Sequence, residues 1–180
     1  GAGKSTLLQV LGALERPTAG EVVLGGRAVS AVPDEELDGL RNRSVGFVFQ
    51  FHHLLREFTA LENVMMPLRI AGQSSGRARA QAQELLGRVG LGGRMHHLPG
   101  ELSGGEQQRT AVARALAAAP PLILADEPSG NLDHANAELL HDLFAGLAGE
   151  MGVGLVVVTH NRSLAARAQR ILLLEEGRLA

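Results

Sequence analysis

Short apolar runs, long enough for a strand and too short for a helix, recur between helical stretches along this 180-residue chain. Residues 45–50 (VGFVFQ), 122–125 (LILA) and 153–158 (VGLVVV) are of this kind, and 21–24 and 171–174 read as further strands. Nearly all-apolar runs are buried on both faces, and strands separated by helices pair in parallel through crossover connections. The pattern therefore predicts an α/β fold: a largely parallel sheet with helices on both sides.

Helical spacing supplies the connections. Leu7, Leu8, Leu11 and Leu14 predict a helix over 4–14, ended by the turn sequence at 17–20. Further helices are expected over 33–43, 60–70, 77–89, from Gly105 to 118, over 136–147 and near 164–167. In the helix over 77–89, Ala82, Leu85, Leu86 and Val89 form one buried stripe. No strand is expected between 51 and 102, where Pro67, Gly72 and Pro99 punctuate the pattern. The expected organisation is one domain over 1–180, with an α/β core of 1–50 and 103–180 and an inserted helical subdomain of 51–102.

Seventeen Lys and Arg against nineteen Asp and Glu give a net charge of −2, no footprint for nonspecific nucleic-acid binding and no polybasic membrane anchor. With no Cys, disulfides and thiolate metal sites are excluded. The paired histidines His52-His53 and His96-His97 lack the spacing of a tetrahedral metal site. The apolar run 153–158 is interrupted by Gly154 and falls far short of the ~20 residues that span a bilayer. No secretory signal is visible, and a chain opening on GAGKST without Met predicts that an upstream segment has been left off.

Three segments carry chemistry. GAGKST (Gly1, Ala2, Gly3, Lys4, Ser5, Thr6) matches the closing half of G-x-x-x-x-G-K-[ST], in which backbone N–H groups curl around phosphate, lysine adds positive charge and a hydroxyl ligates Mg²⁺. LILADE ends an apolar strand in Asp126 and Glu127, at the edge where open α/β sheets bind ligands. Successive strand residues point to opposite sides, so two roles are expected: Asp126 for Mg²⁺ and Glu127 as acceptor of a proton from the attacking water. In LSGGEQQR (102–109), Ser103, Gly104 and Gly105 open a helix with a hydroxyl, free amides and a helix dipole. Ser103 and Glu106 also fit a capping box.

Taken together these motifs resemble the ATP-binding cassette ATPases along essentially the whole chain: phosphate loop, Gln50, LSGGE, Asp126-Glu127, SGNLD at 129–133 and His160 follow in the family's order. The resemblance implies a P-loop NTPase of RecA-like core, ATP and Mg²⁺ as ligands, and two identical cassettes head to tail, each ATP lying between the phosphate loop of one and the Ser103–Gly105 turn of the other. It implies that Gln50 approaches Mg²⁺ and water, that Asp133 reaches across the interface with Asn131 and Leu132 shaping its loop, and that His160 contacts the γ-phosphate.

Four of the five Phe residues, Phe47, Phe49, Phe51 and Phe58, cluster around Gln50. Strand alternation makes Phe47 and Phe49 core, while 51–58 (Phe51 to Phe58) is the expected docking segment for integral membrane subunits. FQFHHLL, FTALENVMMPL, LADEPSGNLD and VVVTHN are most similar to cassettes of lipoprotein release, a peripheral ATPase at the cytoplasmic face of the bacterial inner membrane. Macrolide-export and cell-division cassettes share most of these motifs, and soluble non-transport ABC ATPases are the remaining alternative. Opening within the phosphate loop places its first glycine, the strand before it and the adenine-stacking aromatic upstream, so the 180 residues alone are expected to bind ATP poorly.

Overall fold

The structure, a computed structural model, describes residues 3–179 apart from the side chain of Ala148. At its centre β3 (Val45–Phe49), β4 (Leu122–Asp126) and β5 (Gly154–Val158) pair in parallel, in that order. Phe49 lies beside Asp126, and Asp126 beside Val158. The next residue of each chain segment, Gln50, Glu127 and Thr159, therefore emerges in one row at the C-terminal edge.

Side-chain alternation along β4 divides the apolar interior in two. Leu124 packs with Leu8 of α1 (Lys4–Leu11), Leu37 and Leu40 of α2 (Asp34–Ser44) and Val45. Ile123 and Ala125 point the other way, toward Val112 and Leu116 of α5 (Gly104–Leu116) and Leu140 and Phe144 of α6 (His134–Met151). The sheet is covered on both faces, as its apolar strands require.

Between β3 and α5 lie α3 (Ala60–Ile70) and α4 (Ser75–Arg88), which pack on each other and on α5. The predicted stripe of α4 is buried at Ala82, Leu85 and Leu86, joined by Ala78. A capping box starts α3, with Thr59 Oγ1 accepting from the Glu62 amide and Glu62 accepting from the Thr59 amide. Pro67 does not punctuate this helix as expected: it sits in the last turn, and its carbonyl accepts from Asn42 Nδ2 at 3.0 Å, tying α3 to α2.

Three expectations need correction. The helix expected to reach Leu14 stops at Leu11, because Gly12 caps it and Ala13 turns to a φ of 54°. At 21–24 only Val23 and Leu24 pair (β1), antiparallel to β2 (Arg27–Ala28) and outside the central sheet. At 171–174 only Leu174 enters a strand: β6 (Leu174–Glu175) forms an antiparallel hairpin with β7 (Arg178–Leu179). Ile171, Leu172 and Leu173 are exposed. An apolar run signals a need for burial, whereas a strand also needs a hydrogen-bonding neighbour. The short α7 (Arg162–Ala165) follows β5, and no helix is long and apolar enough to cross a membrane among the described residues.

Candidate active site

Glu127 stands in the middle of the row at the sheet's edge. Its φ of 43° lies in a region that non-glycine residues visit sparsely, and its amide donates to the Val158 carbonyl at 2.8 Å. This bend takes the carboxylate out of the strand alternation and lays it over the end of β5. Oε2 accepts from Thr159 Oγ1 at 3.0 Å, and Oε1 accepts from the His160 amide at 2.9 Å with His160 Nδ1 2.8 Å away. The Glu127 side chain is 17% exposed and that of His160 76%. The acid is thus fixed at the base of the site while the imidazole reaches outward. An oriented carboxylate with lone pairs to spare suits proton abstraction from a water held above it.

On the α1 face, Gly3 is left-handed at a φ of 87° and supplies no side-chain cap, so the helix opens directly at Lys4. Its first closing bond runs from the Leu7 amide to the Gly3 carbonyl at 2.9 Å. The amides of Lys4, Ser5 and Thr6 consequently lack intrahelical acceptors, and with the helix dipole they favour an anion. Ser5 and Thr6 are exposed. Gly1 and Ala2 lie outside the described residues.

Among the described residues no group of three or more His, Asp or Glu side chains could cage a metal ion. Nucleotide-bound Mg²⁺ needs no such cage, since phosphate and water oxygens fill most of its octahedron. The Ser5 hydroxyl, the Asp126 carboxylate at the end of β4 and the Gln50 amide are hard oxygen donors that fit this limited role.

Gln50 and the 129–133 turn are held together. Gln50 Nε2 donates to Asn131 Oδ1 at 3.0 Å, and Asn131 Nδ2 donates back to the Gln50 carbonyl at 3.2 Å. Asp133 caps α6: Oδ1 accepts from the Asn136 amide at 2.9 Å and Oδ2 from Asn136 Nδ2 at 2.8 Å. These bonds hold the Asp133 carboxyl below its usual pKa.

Ser103 caps α5 through the box that its spacing allows. Its Oγ accepts from the Glu106 amide at 3.3 Å, Glu106 Oε2 accepts from the Ser103 amide at 2.8 Å, and Arg94 Nε donates to Glu106 Oε1 at 3.0 Å. The Ser103 amide, assisted by the Ser103 hydroxyl and Arg94, lowers the Glu106 pKa against a smaller effect of burial. Gly105 has a packing role as well: a Cβ there would lie 2.2 Å from Asn136 Oδ1. α1 and α5 cover opposite faces of the sheet, so their N-termini stand on opposite sides of it within one chain.

Other side chains support these groups. Thr159 proves to be a ligand of Glu127. Arg114 donates from Nη2 to the His52 carbonyl at 2.9 Å and from Nη1 to the His53 carbonyl at 2.7 Å, while Gln108 Nε2 donates to the Phe49 carbonyl at 3.2 Å. Together they bind α5 to the end of β3 and the segment after it. Gln108 carried a usable signal, being a polar residue one turn before Val112 on a buried stripe.

The family model described as ABC transporter matches residues 1–130. This chain belongs to the ABC transporter family. Proteins named lipoprotein-releasing system ATP-binding protein LolD are similar over nearly the whole chain. The one from Geobacter metallireducens is 56% identical over 179 residues, 99% of this chain and 80% of that protein. The one from Xanthomonas campestris is 58% identical over 179 residues, covering 99% of this chain and 75% of that protein. The one from Chromohalobacter salexigens is 51% identical over 180 residues, 100% and 76% of the two chains. Among solved structures, the dimeric post-hydrolysis state of the ATP-binding cassette MJ0796 bound to ADP and Pi superposes with a TM-score of 0.89 at 41% identity, over 99% of this chain and 78% of that one.

Proposed function

We propose that this chain is the ATPase subunit of a lipoprotein-releasing transporter, acting as a homodimer on Mg²⁺-ATP at the cytoplasmic face of the bacterial inner membrane. The observation that carries the chemistry is the row set by strand register, in which Gln50, Glu127 and Thr159-His160 meet at one edge. The cargo rests on 51–58% identity to proteins named for lipoprotein release.

In this reading the amides of Gly1 to Thr6 and the Lys4 ammonium bind the phosphates, and Ser5, Asp126 and Gln50 attend the cation, which supplies charge neutralisation at the transferred phosphoryl group. Glu127 accepts a proton from the water attacking the γ-phosphorus, as the bond to the leaving diphosphate breaks. His160, anchored on Glu127 Oε1, keeps that water and the γ-phosphate in line. The separation of the α1 and α5 N-termini by the sheet supports a site completed by Ser103, Gly104, Gly105 and Glu106 of a second copy, as do the dimeric cassettes among its relatives. Asp133 belongs to that interface at the end of the 129–133 turn, where it caps α6.

The membrane subunit docks at 51–58 and the adjoining groove of about 310 Å³, lined by Phe49, Leu55, Met66, Pro67, Ile70 and Arg114 among others. Ile70, which lines that groove, is 64% exposed, and Phe51, in the same segment as the lining residue Leu55, is 66% exposed. The helical stretch 51–102 supplies Leu55, Met66, Pro67 and Ile70 to the groove, and β3 and α5 supply Phe49 and Arg114.

The decisive test is Glu127→Gln in the full-length subunit reconstituted with its membrane partners. Turnover should fall by about 10²–10⁴-fold while ATP binding persists. An unchanged hydrolysis rate would refute the role of Glu127.

A further inference from the structure

Gln50 and Asn131 lie far apart in sequence and form the two-bond clasp described above. We propose that Asn131 is a positioning residue that decides which end of the Gln50 amide faces the nucleotide-bound cation. The inference rests on the reading of Gln50 as a group that approaches Mg²⁺-ATP.

The orientation follows from donors and acceptors. The Gln50 carbonyl can only accept, so the Asn131 group beside it at 3.2 Å must be the NH₂. That fixes Asn131 Oδ1 toward the Gln50 side chain, where an oxygen in turn requires a donor. Nε2 supplies it at 3.0 Å. Gln50 Oε1 is thereby the end left to act as acceptor for a cation or its water. A flipped Gln50 amide would set oxygen against oxygen at the clasp and present a donor to the cation.

The turn is shaped to permit this contact. At Gly130 a Cβ would lie 2.9 Å from Gln50 Nε2 and 3.2 Å from its Cδ, so a side chain there would displace the amide. The Gly130 amide also donates to the Glu127 carbonyl at 3.0 Å. One turn therefore fixes both the base-bearing residue and the polarity of the amide next to it.

The test compares Asn131→Ala, Gln50→Ala and the double variant in the full-length subunit with its membrane partners. Two readouts are needed: the Mg²⁺ concentration giving half-maximal ATP turnover, and the affinity for a fluorescent ATP analogue in EDTA and in Mg²⁺. Asn131→Ala should raise the half-maximal Mg²⁺ concentration by about five- to ten-fold, the scale of one oriented hydrogen-bonding ligand. It should reduce the affinity gained on adding Mg²⁺ and leave affinity in EDTA at the wild-type value. The double variant should match Gln50→Ala, since both act through one group. A Mg²⁺ shift in Gln50→Ala without one in Asn131→Ala overturns the clasp alone, as does equal weakening of nucleotide in EDTA and Mg²⁺. No shift in Gln50→Ala overturns the cation role of Gln50 and the clasp with it.

Discussion

His141 of α6 is a titratable residue buried outside the row at the sheet's edge. Its residue exposure is 1%, Nε2 lies 3.1 Å from Ser129 Oγ, and Nδ1 lies 3.3 Å from Glu138 Oε1. Burial lowers its pKa from the ordinary 6.5, partly opposed by Glu138. The unfolded chain then binds more protons below that ordinary value, so this contribution is full above it and is lost on acidification. Urea midpoints at about pH 7 and about pH 5 should fall less for His141→Gln than for wild type, with some loss persisting because burial also lowers His52. An identical fall would remove His141 from the acid response. At Gly105 the concern is space: Gly105→Ala must push Asn136 from Asp133, destabilising by about 1–3 kcal/mol in urea unfolding. The glycines were legible as a phosphate-binding signature, but the need for Gly105 against Asn136 was not, because it depends on two helices meeting.

Among the elements, α3 was the most legible. A capping residue at Thr59 and apolar spacing across 60–70 specify it locally, and it occupies Ala60–Ile70. The loop before it is organised by Asn63, wholly buried within the helix. Its Nδ2 lies within 3.1 Å of the carbonyls of Leu55, Phe58 and Thr59, and its Oδ1 accepts from the Leu55 amide at 2.8 Å. Asn63→Leu would leave buried backbone groups unpaired and should cost about 2–3 kcal/mol, read as a lower thermal midpoint. Transport-coupled turnover should fall further than stability alone predicts, since this loop carries Leu55 to the proposed docking groove. The segment 171–174 marks the opposite case. Its apolar residues read as a strand, yet pairing is a property of two segments, and only Leu174 finds a partner. The clasp between Gln50 and Asn131 was hidden for the same reason.

At the scale of the molecule, the opposed N-termini of α1 and α5 make complementation the informative experiment. A Lys4→Ala chain mixed with a Ser103→Arg chain forms heterodimers in which one composite site has both lesions and the other has neither. ATPase activity should therefore reappear on mixing two inactive full-length variants, approaching half of the wild-type rate per heterodimer if sites work independently. Activity that never returns would indicate sites contained within single chains. Replacing Phe51 by Asp should spare ATP binding and weaken co-purification with the membrane subunits. The central strands and the order of the motifs were readable because each run announces its own burial. The grip of Arg114 on the carbonyls after β3 could not be, and together with the bond from Gln108 to the last carbonyl of β3 its consequence is mechanical. A wedge seated beside Phe51 would bear on the same rod that presents Ser103 to a neighbouring copy, so insertion on the membrane side and closure around the neighbour's triphosphate would share one stiff linkage.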